Sequence, residues 1–144
     1  MKFQVLYFGK DPTWVDSAVG EYARRMPELS LVRIRNKPSR TKFDRMLQKA
    51  GPSSKIIMLD QRGQQWTTEQ LAKNFQQWLM EFKTVSFLIG DAEGFTPNER
   101  HRVGSQWSLS ALTFPYSIAR LIVCEQLYRA QSILDGHPYH RNES

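Results

Sequence analysis

Residues 85–94 read Val-Ser-Phe-Leu-Ile-Gly-Asp-Ala-Glu-Gly, an apolar run that passes directly into a loop bounded by two glycines. A short continuous apolar run is typical of a strand buried on both faces, as in a parallel sheet. In open sheets of this kind ligands bind beyond the carboxyl ends of the strands, and glycine lets them approach the backbone closely. We therefore predict a buried strand over 85–89 and a ligand loop over 90–94. The glycine spacing alone matches neither a dinucleotide fingerprint nor a P-loop.

Strands and helices alternate along the rest of the chain. Apolar patterns predict further strands over 2–8, 29–35, 55–59 and 107–109, and helices over 43–50, 71–82 and 117–135. This alternation implies an α/β fold with a mostly parallel sheet flanked by helices. A length of 144 residues fits a single domain that spans residues 1–144.

Two helix starts carry local signals. Asp11 and Pro12 form a start in which Asp11 caps the helix and Pro12 is its first residue. The spacing of Trp14, Ala18, Tyr22 and Met26 predicts the buried stripe of that helix. Residues 67–70, Thr-Thr-Glu-Gln, form a capping box for a later helix.

The composition narrows the class of protein. Hydrophobic residues make up 40% of the chain, which is enough for a core, and no apolar run approaches the roughly 20 residues of a membrane span. The N-terminal residues lack the pattern of a signal peptide. Cys124 is the single cysteine, so it forms no internal disulfide, and its apolar surroundings predict a buried thiol. We expect a cytoplasmic protein.

The positive charge is concentrated in one segment. Seven basic residues lie between Arg33 and Lys49 against one acid, Asp44, and this segment accounts for the whole net charge of +6. Such a patch favours a polyanion, most often nucleic acid, although a solvated basic face is the alternative. The candidate RNA-binding residues are Arg33, Arg35, Lys37, Arg40, Lys42 and Arg45.

The C-terminal residues 137–144 read His-Pro-Tyr-His-Arg-Asn-Glu-Ser and follow directly on the last predicted helix. Their side chains are of the types that bind phosphates, stack on bases and transfer protons. This density indicates that the tail belongs to a functional site, and a solubilising tail is the alternative. His137 and His140 have no further cluster of metal ligands nearby in sequence, so no metal site is predicted.

Residues 108–116, Ser-Leu-Ser-Ala-Leu-Thr-Phe-Pro-Tyr, form a second candidate ligand loop just before the longest helix. Small hydroxyl residues mixed with apolar ones suit a flat aromatic ligand held by backbone hydrogen bonds. As a pattern on its own, this segment is also compatible with an ordinary loop.

Four motifs together resemble the RlmH family, small bacterial methyltransferases of the SPOUT superfamily. They are residues 88–94, residues 107–115, Glu-Gln-Leu-Tyr-Arg-Ala over 125–130, and His-Pro-Tyr-His-Arg over 137–141. The resemblance implies methylation of N3 of a pseudouridine in 23S rRNA with S-adenosylmethionine as methyl donor. It also implies a C-terminal deep trefoil knot and a homodimer whose active site is completed across the subunit interface.

The resemblance carries the cofactor-binding positions of the family onto this chain. They are Leu59, Gly90, Asp91, Ser110, Ala111, Leu112, Thr113, Phe114 and Pro115. Asp91 and Ala92 depart from the usual second Gly and Pro, and Tyr116-Ser117 replaces a common His-Pro pair. If position 91 requires a positive φ, Asp is among the residues that tolerate it best.

The implied reaction requires an imide N3–H to lose its proton. If the pKa of that group lies roughly two units above pH 7, deprotonation costs about 2.7 kcal/mol. His140 is the candidate base, Arg141 the candidate stabiliser of the developing anion, and Tyr139 a residue that stacks on or orients the target base. Phosphate binding by His140 and interface packing by Tyr139 are the alternatives. At the level of function, the alternatives are a non-catalytic ribosome- or RNA-binding module and a SPOUT methyltransferase that acts on tRNA.

Overall fold

The structure, a computed structural model, describes residues 2–35 and 42–140, in which strands and helices alternate. The strands are β1 (Lys2–Phe8), β2 (Leu29–Ile34), β3 (Lys55–Gln65), β4 (Thr84–Leu88) and β5 (Gln106–Ser108). The helices are α1 (Thr13–Arg25), α2 (Lys42–Ala50), α3 (Thr68–Glu81), α4 (Pro97–Arg102) and α5 (Tyr116–Leu134).

All five strands form one parallel sheet in the order β2-β1-β4-β3-β5. The predicted α/β class with a mostly parallel sheet is therefore confirmed. Because the strands are parallel, the loops that follow β3, β4 and β5 meet at one edge of the sheet. The trefoil knot implied by the family resemblance stays a prediction.

Residues of β1, which lies between β2 and β4, face two separate cores. Phe3 and Val5 pack with α1, α3 and α5 on one face, whereas Leu6 and Phe8 pack with α2 on the other. The predicted burial of Cys124 is confirmed, and burial raises the pKa of its thiol to about 12, which leaves it unreactive. Within the described residues, no helix is both long and apolar enough to cross a membrane.

The start of α1 differs from its prediction in two ways. Helix α1 begins at Thr13 with Pro12 at the N-cap position, and no side chain caps it. The side chain of Asp11 is instead buried in an ion pair with Arg120 of α5. The predicted stripe is confirmed only in part. Met26 is buried and Tyr22 packs against the core, but Trp14 is 59% exposed, and Val15 and Val19 are buried instead. Residues four apart are rotated by about 40° around a helix, so a stripe followed at strict i, i+4 spacing drifts, and its first residue faces solvent.

Arg120 itself is only 2% exposed and holds the first turns of α5 against α1 and β1. Its Nη2 lies 2.5 Å from Oδ1 of Asp16 and also pairs with Asp11. Its guanidinium carbon lies 4.1 Å from the centroid of the Tyr7 ring. A buried arginine needs such partners, because an unpaired charge in the interior is strongly destabilising.

Strand β3 continues beyond its predicted end at residue 59. It runs to Gln65 and pairs with β5 through an irregular register between Leu59 and Gln64. Helix α4 was not predicted at all, although Thr96 and Glu99 form a capping box with Pro97 in the first turn. That signal was available in the sequence.

Gly63 allows β3 and β5 to approach each other closely at this irregularity. A β-carbon at position 63 would lie 2.5 Å from the carbonyl carbon of Gln106 and 2.7 Å from the amide nitrogen of Trp107. Only a shift of one strand could relieve these contacts, because both partner atoms belong to the backbone.

We expect Gly63→Ala to lower the free energy of unfolding by about 1–3 kcal/mol through this overpacking. Chemical denaturation checks the loss. Gly20→Ala is the matched control, since Gly20 lies inside α1 and a β-carbon there meets no atom within 4 Å. The control should raise the free energy of unfolding by about 0.5–1 kcal/mol. Equal stability of Gly63→Ala and the unsubstituted protein would contradict the close approach.

Candidate active site

A cavity of about 820 Å³ lies at the carboxyl edge of the sheet. Its walls come from the middle of β3, the loop after β4 and the segment that joins β5 to α5. The cavity is of the size that small-molecule ligands and cofactors occupy. The position agrees with the general rule for ligand sites in open α/β sheets.

The loop over 90–94 closes on itself through Asp91. Oδ1 of Asp91 accepts the backbone N–H of Glu93 at 3.1 Å, and its carbonyl oxygen accepts the N–H of Gly94 at 2.9 Å. The positive φ of this loop, +70°, falls on Gly94, and no described non-glycine residue has a positive φ. Asp91 therefore replaces the family glycine without backbone strain.

Gly90 is the crowded position of the same loop. A β-carbon there would lie 3.2 Å from Cε2 of Phe95 and 3.3 Å from Cα of Gly94. The close packing keeps the backbone of the loop at the cavity wall.

The second loop is held in shape by side chains of its neighbours. Nε2 of Gln61 donates to the carbonyl oxygen of Ala111 at 3.2 Å and lies 3.1 Å from Oγ1 of Thr113. Oγ of Ser110 accepts the N–H of Leu112 at 3.0 Å, which forms a local turn. Gln61 was not predicted, because it follows the predicted end of the strand at residue 59 and lies in neither candidate ligand loop.

The structure brings the family's cofactor-binding positions together. Every one of those residues except Ala111 lines the cavity. The ones that do so are Leu59, Gly90, Asp91, Ser110, Leu112, Thr113, Phe114 and Pro115. Further lining residues that were not predicted include Asp60, Gln61, Arg62, Arg100 and Ala119.

The tail packs against helices of the same chain. The phenol of Tyr139 donates to Oε2 of Glu125 at 2.9 Å, and its ring packs edge-on against Tyr128 with centroids 4.8 Å apart. The Arg129 guanidinium lies over the ring of Tyr139, 4.6 Å from its centroid. Burial is the main cause that raises the pKa of Tyr139, and hydrogen bonding with Tyr22 and Glu125 raises it as well. The phenol is therefore a neutral donor at physiological pH.

The contacts of His140 fix its tautomer. Nδ1 lies 3.2 Å from Nη1 of Arg129, which can only donate, and Nε2 lies 2.9 Å from Oε1 of Glu69. The proton of a neutral ring is therefore on Nε2, where it is donated to Glu69. The pKa of Glu69 is lowered first by a hydrogen bond from its own backbone and then by that from His140. In this arrangement both ring nitrogens are engaged by protein groups.

The tail and the cavity are separate within one subunit. None of the described tail residues, 137–140, lines the cavity. Arg141 lies outside the described residues. Among described residues, no group of three His, Cys, Asp or Glu side chains could hold a metal ion.

The basic segment is divided between exposed and paired side chains. Arg33 and Arg35 are exposed at the end of β2, and Nη1 of Arg45 donates to the carbonyl oxygen of Arg35 at 3.1 Å. Lys42 is half-buried and pairs with Asp91 of the cavity wall. Lys37 and Arg40 lie outside the described residues.

Two solved structures share the fold of this chain. The chain aligns with the structure of a probable methylase family protein from Haemophilus influenzae with a TM-score of 0.63 at 8% identity, over 94% of this chain and 69% of that one. It aligns with a putative methylase family protein from Neisseria gonorrhoeae with a TM-score of 0.58 at 11% identity, over 89% of this chain and 82% of that one.

Sequence comparison identifies the family. A family model described as "Predicted SPOUT methyltransferase" matches residues 1–140. Proteins named ribosomal RNA large subunit methyltransferase H from Pseudomonas fluorescens and Azotobacter vinelandii are 38% and 37% identical, over 98% of this chain and all of each relative. The chain therefore belongs to the SPOUT methyltransferases and, among them, to the RlmH family.

Proposed function

We propose that the protein methylates N3 of a pseudouridine in 23S rRNA with S-adenosylmethionine as methyl donor. The observation that carries the proposal is the cavity at the carboxyl edge of the sheet, which gathers the family's cofactor positions in a chain of the RlmH family. The names of the relatives support large-subunit rRNA as the substrate.

The residues around the cavity fit such a cofactor. Leu59, Leu112 and Phe114 provide apolar surface, and the glycine at 90 leaves backbone groups open to a ligand. Asp60, Asp91 and Glu93 supply carboxylates for its cationic groups. When bound, S-adenosylmethionine supplies an electrophilic methyl group.

The protein must then deprotonate and orient the RNA base. His140 is the proposed base, Arg141 the proposed anion stabiliser, and Tyr139, whose phenol proton is donated to Glu125, the residue proposed to stack on or orient the target base. For His140 to act as a base, its ring must release the hydrogen bond from Arg129, because that bond occupies the Nδ1 lone pair.

The separation of tail and cavity within one subunit supports a homodimer in which each tail serves the partner's cavity. Helices α1 and α5, which pack on each other, also leave apolar surface uncovered. Trp14 is 59% exposed, and Ile118, Leu121 and Ile122 are only partly buried. A two-fold axis along this face would pair one such surface with its copy.

The decisive experiment maps methylated nucleotides in 23S rRNA from a strain that lacks the gene. One pseudouridine should lose its N3 methyl group and regain it on complementation. Calorimetry with S-adenosylmethionine separates this proposal from a non-catalytic RNA-binding module, which would not bind it. Normal rRNA methylation together with a missing methyl group in tRNA would favour the tRNA alternative.

We expect Arg33, Arg35 and Arg45 of the basic segment to bind RNA backbone without reading bases. The triple variant Arg33→Glu, Arg35→Glu and Arg45→Glu should weaken ribosome binding and flatten its dependence on salt concentration, because fewer counterions are released. Filter binding across a salt series measures both quantities, and S-adenosylmethionine affinity serves as the internal control. An unchanged salt slope would show that these residues form only a solvated face.

A further inference from the structure

A second cavity, of about 550 Å³, adjoins the proposed cofactor cavity. The two share a wall formed by Arg62, Asp91, Glu93, Gly94, Phe95 and Arg100. The far wall of the second cavity contains Phe8 and the first two residues of α2, Lys42 and Phe43. The basic segment therefore opens into a space beside the cofactor cavity.

One ion pair crosses the boundary between the two cavities. The ammonium of Lys42 pairs with the carboxylate of Asp91, and the two side chains are 28% and 22% exposed. Nζ of Lys42 also lies 4.8 Å from the centroid of the Phe8 ring. Lys42 lines the second cavity and not the first, whereas Asp91 lines both. Lys42 is thus accessible from the second cavity, and Asp91 is accessible from both cavities.

Two other charged groups of the second cavity are already bound to protein partners. Nη1 of Arg100 donates to the carbonyl oxygen of Phe95 at 2.7 Å and lies 3.7 Å from Asp60, while the Glu99 carboxylate caps α4. The remaining charges are Arg62 and Glu93, both on exposed residues. An anion that enters this cavity therefore meets Lys42 and Arg62 as its cationic partners.

We propose that the second cavity is a phosphate subsite for the RNA substrate, centred on Lys42, and that the Lys42–Asp91 pair links it to the cofactor cavity. This inference rests on the proposed function. RNA is the ligand that the surroundings favour, because Lys42 begins the helix on which Arg45 and Lys49 continue the basic segment. A phosphate on Lys42 extends the backbone contacts of that segment to the edge of the cofactor cavity.

The pair makes the two binding events cooperative. An RNA phosphate competes with Asp91 for Lys42, and a cationic cofactor in the first cavity competes with Lys42 for Asp91. Whichever ligand binds first must break the pair, and the second ligand then binds without that cost. Cofactor and RNA therefore increase each other's affinity by the same factor, as linkage requires.

The test is the substitution Lys42→Gln, read out by calorimetry with S-adenosylmethionine in the absence of RNA. We expect the variant to bind the cofactor about fivefold more tightly, the effect of removing a competing pair worth about 1 kcal/mol. A purely structural role of the pair would instead weaken cofactor binding. Asp91→Asn should have the opposite effect and weaken binding, because the carboxylate that receives the cation is lost.

Cooperativity is measured with ribosomes from the deletion strain and the aza analogue of S-adenosylmethionine, which is cationic but transfers no methyl group. The analogue should increase ribosome affinity of the unsubstituted protein about fivefold and that of Lys42→Gln not at all. Lys49→Gln is the matched control: it removes one charge from the same helix, so it should weaken ribosome binding but keep the fivefold factor.

The outcomes separate this inference from the proposed function. If the unsubstituted protein binds neither S-adenosylmethionine nor ribosomes, the proposed function itself fails. If it binds both, the inference is overturned when Lys42→Gln weakens cofactor binding or retains the cooperative factor. Circular dichroism confirms folding, which a partly exposed residue at a helix start should not disturb.

Discussion

Replacing Arg141 by alanine should reduce turnover about a hundredfold while S-adenosylmethionine affinity stays unchanged. Loss of one donor that stabilises developing negative charge costs on the order of 3 kcal/mol in comparable sites. Arg141→Lys should recover only part of the loss, because lysine lacks the planar fork of donors. Single-turnover rates with ribosomes from the deletion strain measure the effect, and calorimetry measures cofactor affinity.

Removing the whole of residues 139–144 should have at least the same effect on turnover. The truncation should also lower the stability of the fold, since Tyr139 packs on Tyr128 and donates a hydrogen bond to Glu125. Tyr139→Phe is therefore the matched control: it removes only the hydroxyl hydrogen bond, which contributes about 1 kcal/mol. Full turnover by the truncated protein would mean that the tail has no part in the reaction.

The pH dependence of turnover tests whether His140 is the base. If His140 is the base, the turnover of His140→Ala should rise with pH, because solvent then deprotonates N3 in its place. The ratio of variant to unsubstituted rate should therefore approach one at alkaline pH. A ratio that stays constant across the pH range would identify His140 as a binding residue.

Gly90→Val should abolish detectable S-adenosylmethionine binding. The added β-carbon already meets the Phe95 ring at 3.2 Å and Gly94 at 3.3 Å, and valine adds two methyl groups to this crowded position. Overpacking of this kind costs about 3 kcal/mol, or roughly a hundredfold in affinity. Gly104→Val is the control, since a β-carbon at position 104 meets no atom within 4 Å. Unchanged affinity in a folded Gly90→Val protein would remove this loop from the cofactor site.

The two inactive variants together test whether sites are shared between subunits. Mixing Gly90→Val with Arg141→Ala should restore activity, because one site of a mixed dimer combines an intact cavity with an intact tail. Equal random mixing should restore about a quarter of the sites. Sedimentation should give about twice the chain mass of 16.8 kDa. A clean monomer, or a mixture without activity, would contradict the composite site.

Some elements could be predicted because short stretches of their own sequence determine their conformation. The strand at 85–89 and the capping box at 67–70 were predicted from short patterns, and the structure places both within one residue of the prediction. Gly136 ends the last helix with a φ of +72°, as its position indicated. The loops after β4 and β5 were candidate ligand loops from pattern, and the family resemblance added the cofactor and the individual positions expected to bind it.

Tertiary contacts decided what the sequence patterns could not. Residues 60–65 are almost entirely polar and carry no strand signal, yet they extend β3 because Gly63 lets β5 approach. Asp11 has the sequence context of a helix cap but pairs with Arg120, which lies far along the chain. Tyr139 and His140 were identified as chemically important, whereas their partners Glu125, Arg129 and Glu69 became visible only in three dimensions.

The pairing of Arg120 with Asp11 and Asp16 has a consequence for how the chain is made. The two acids leave the ribosome early in synthesis, while their buried partner follows more than 100 residues later. Until α5 emerges, α1 and β1 lack the surface that buries them, so the nascent chain keeps apolar groups exposed. Completion of the fold therefore depends on the last helix, and a prematurely terminated chain leaves two acids without their cation.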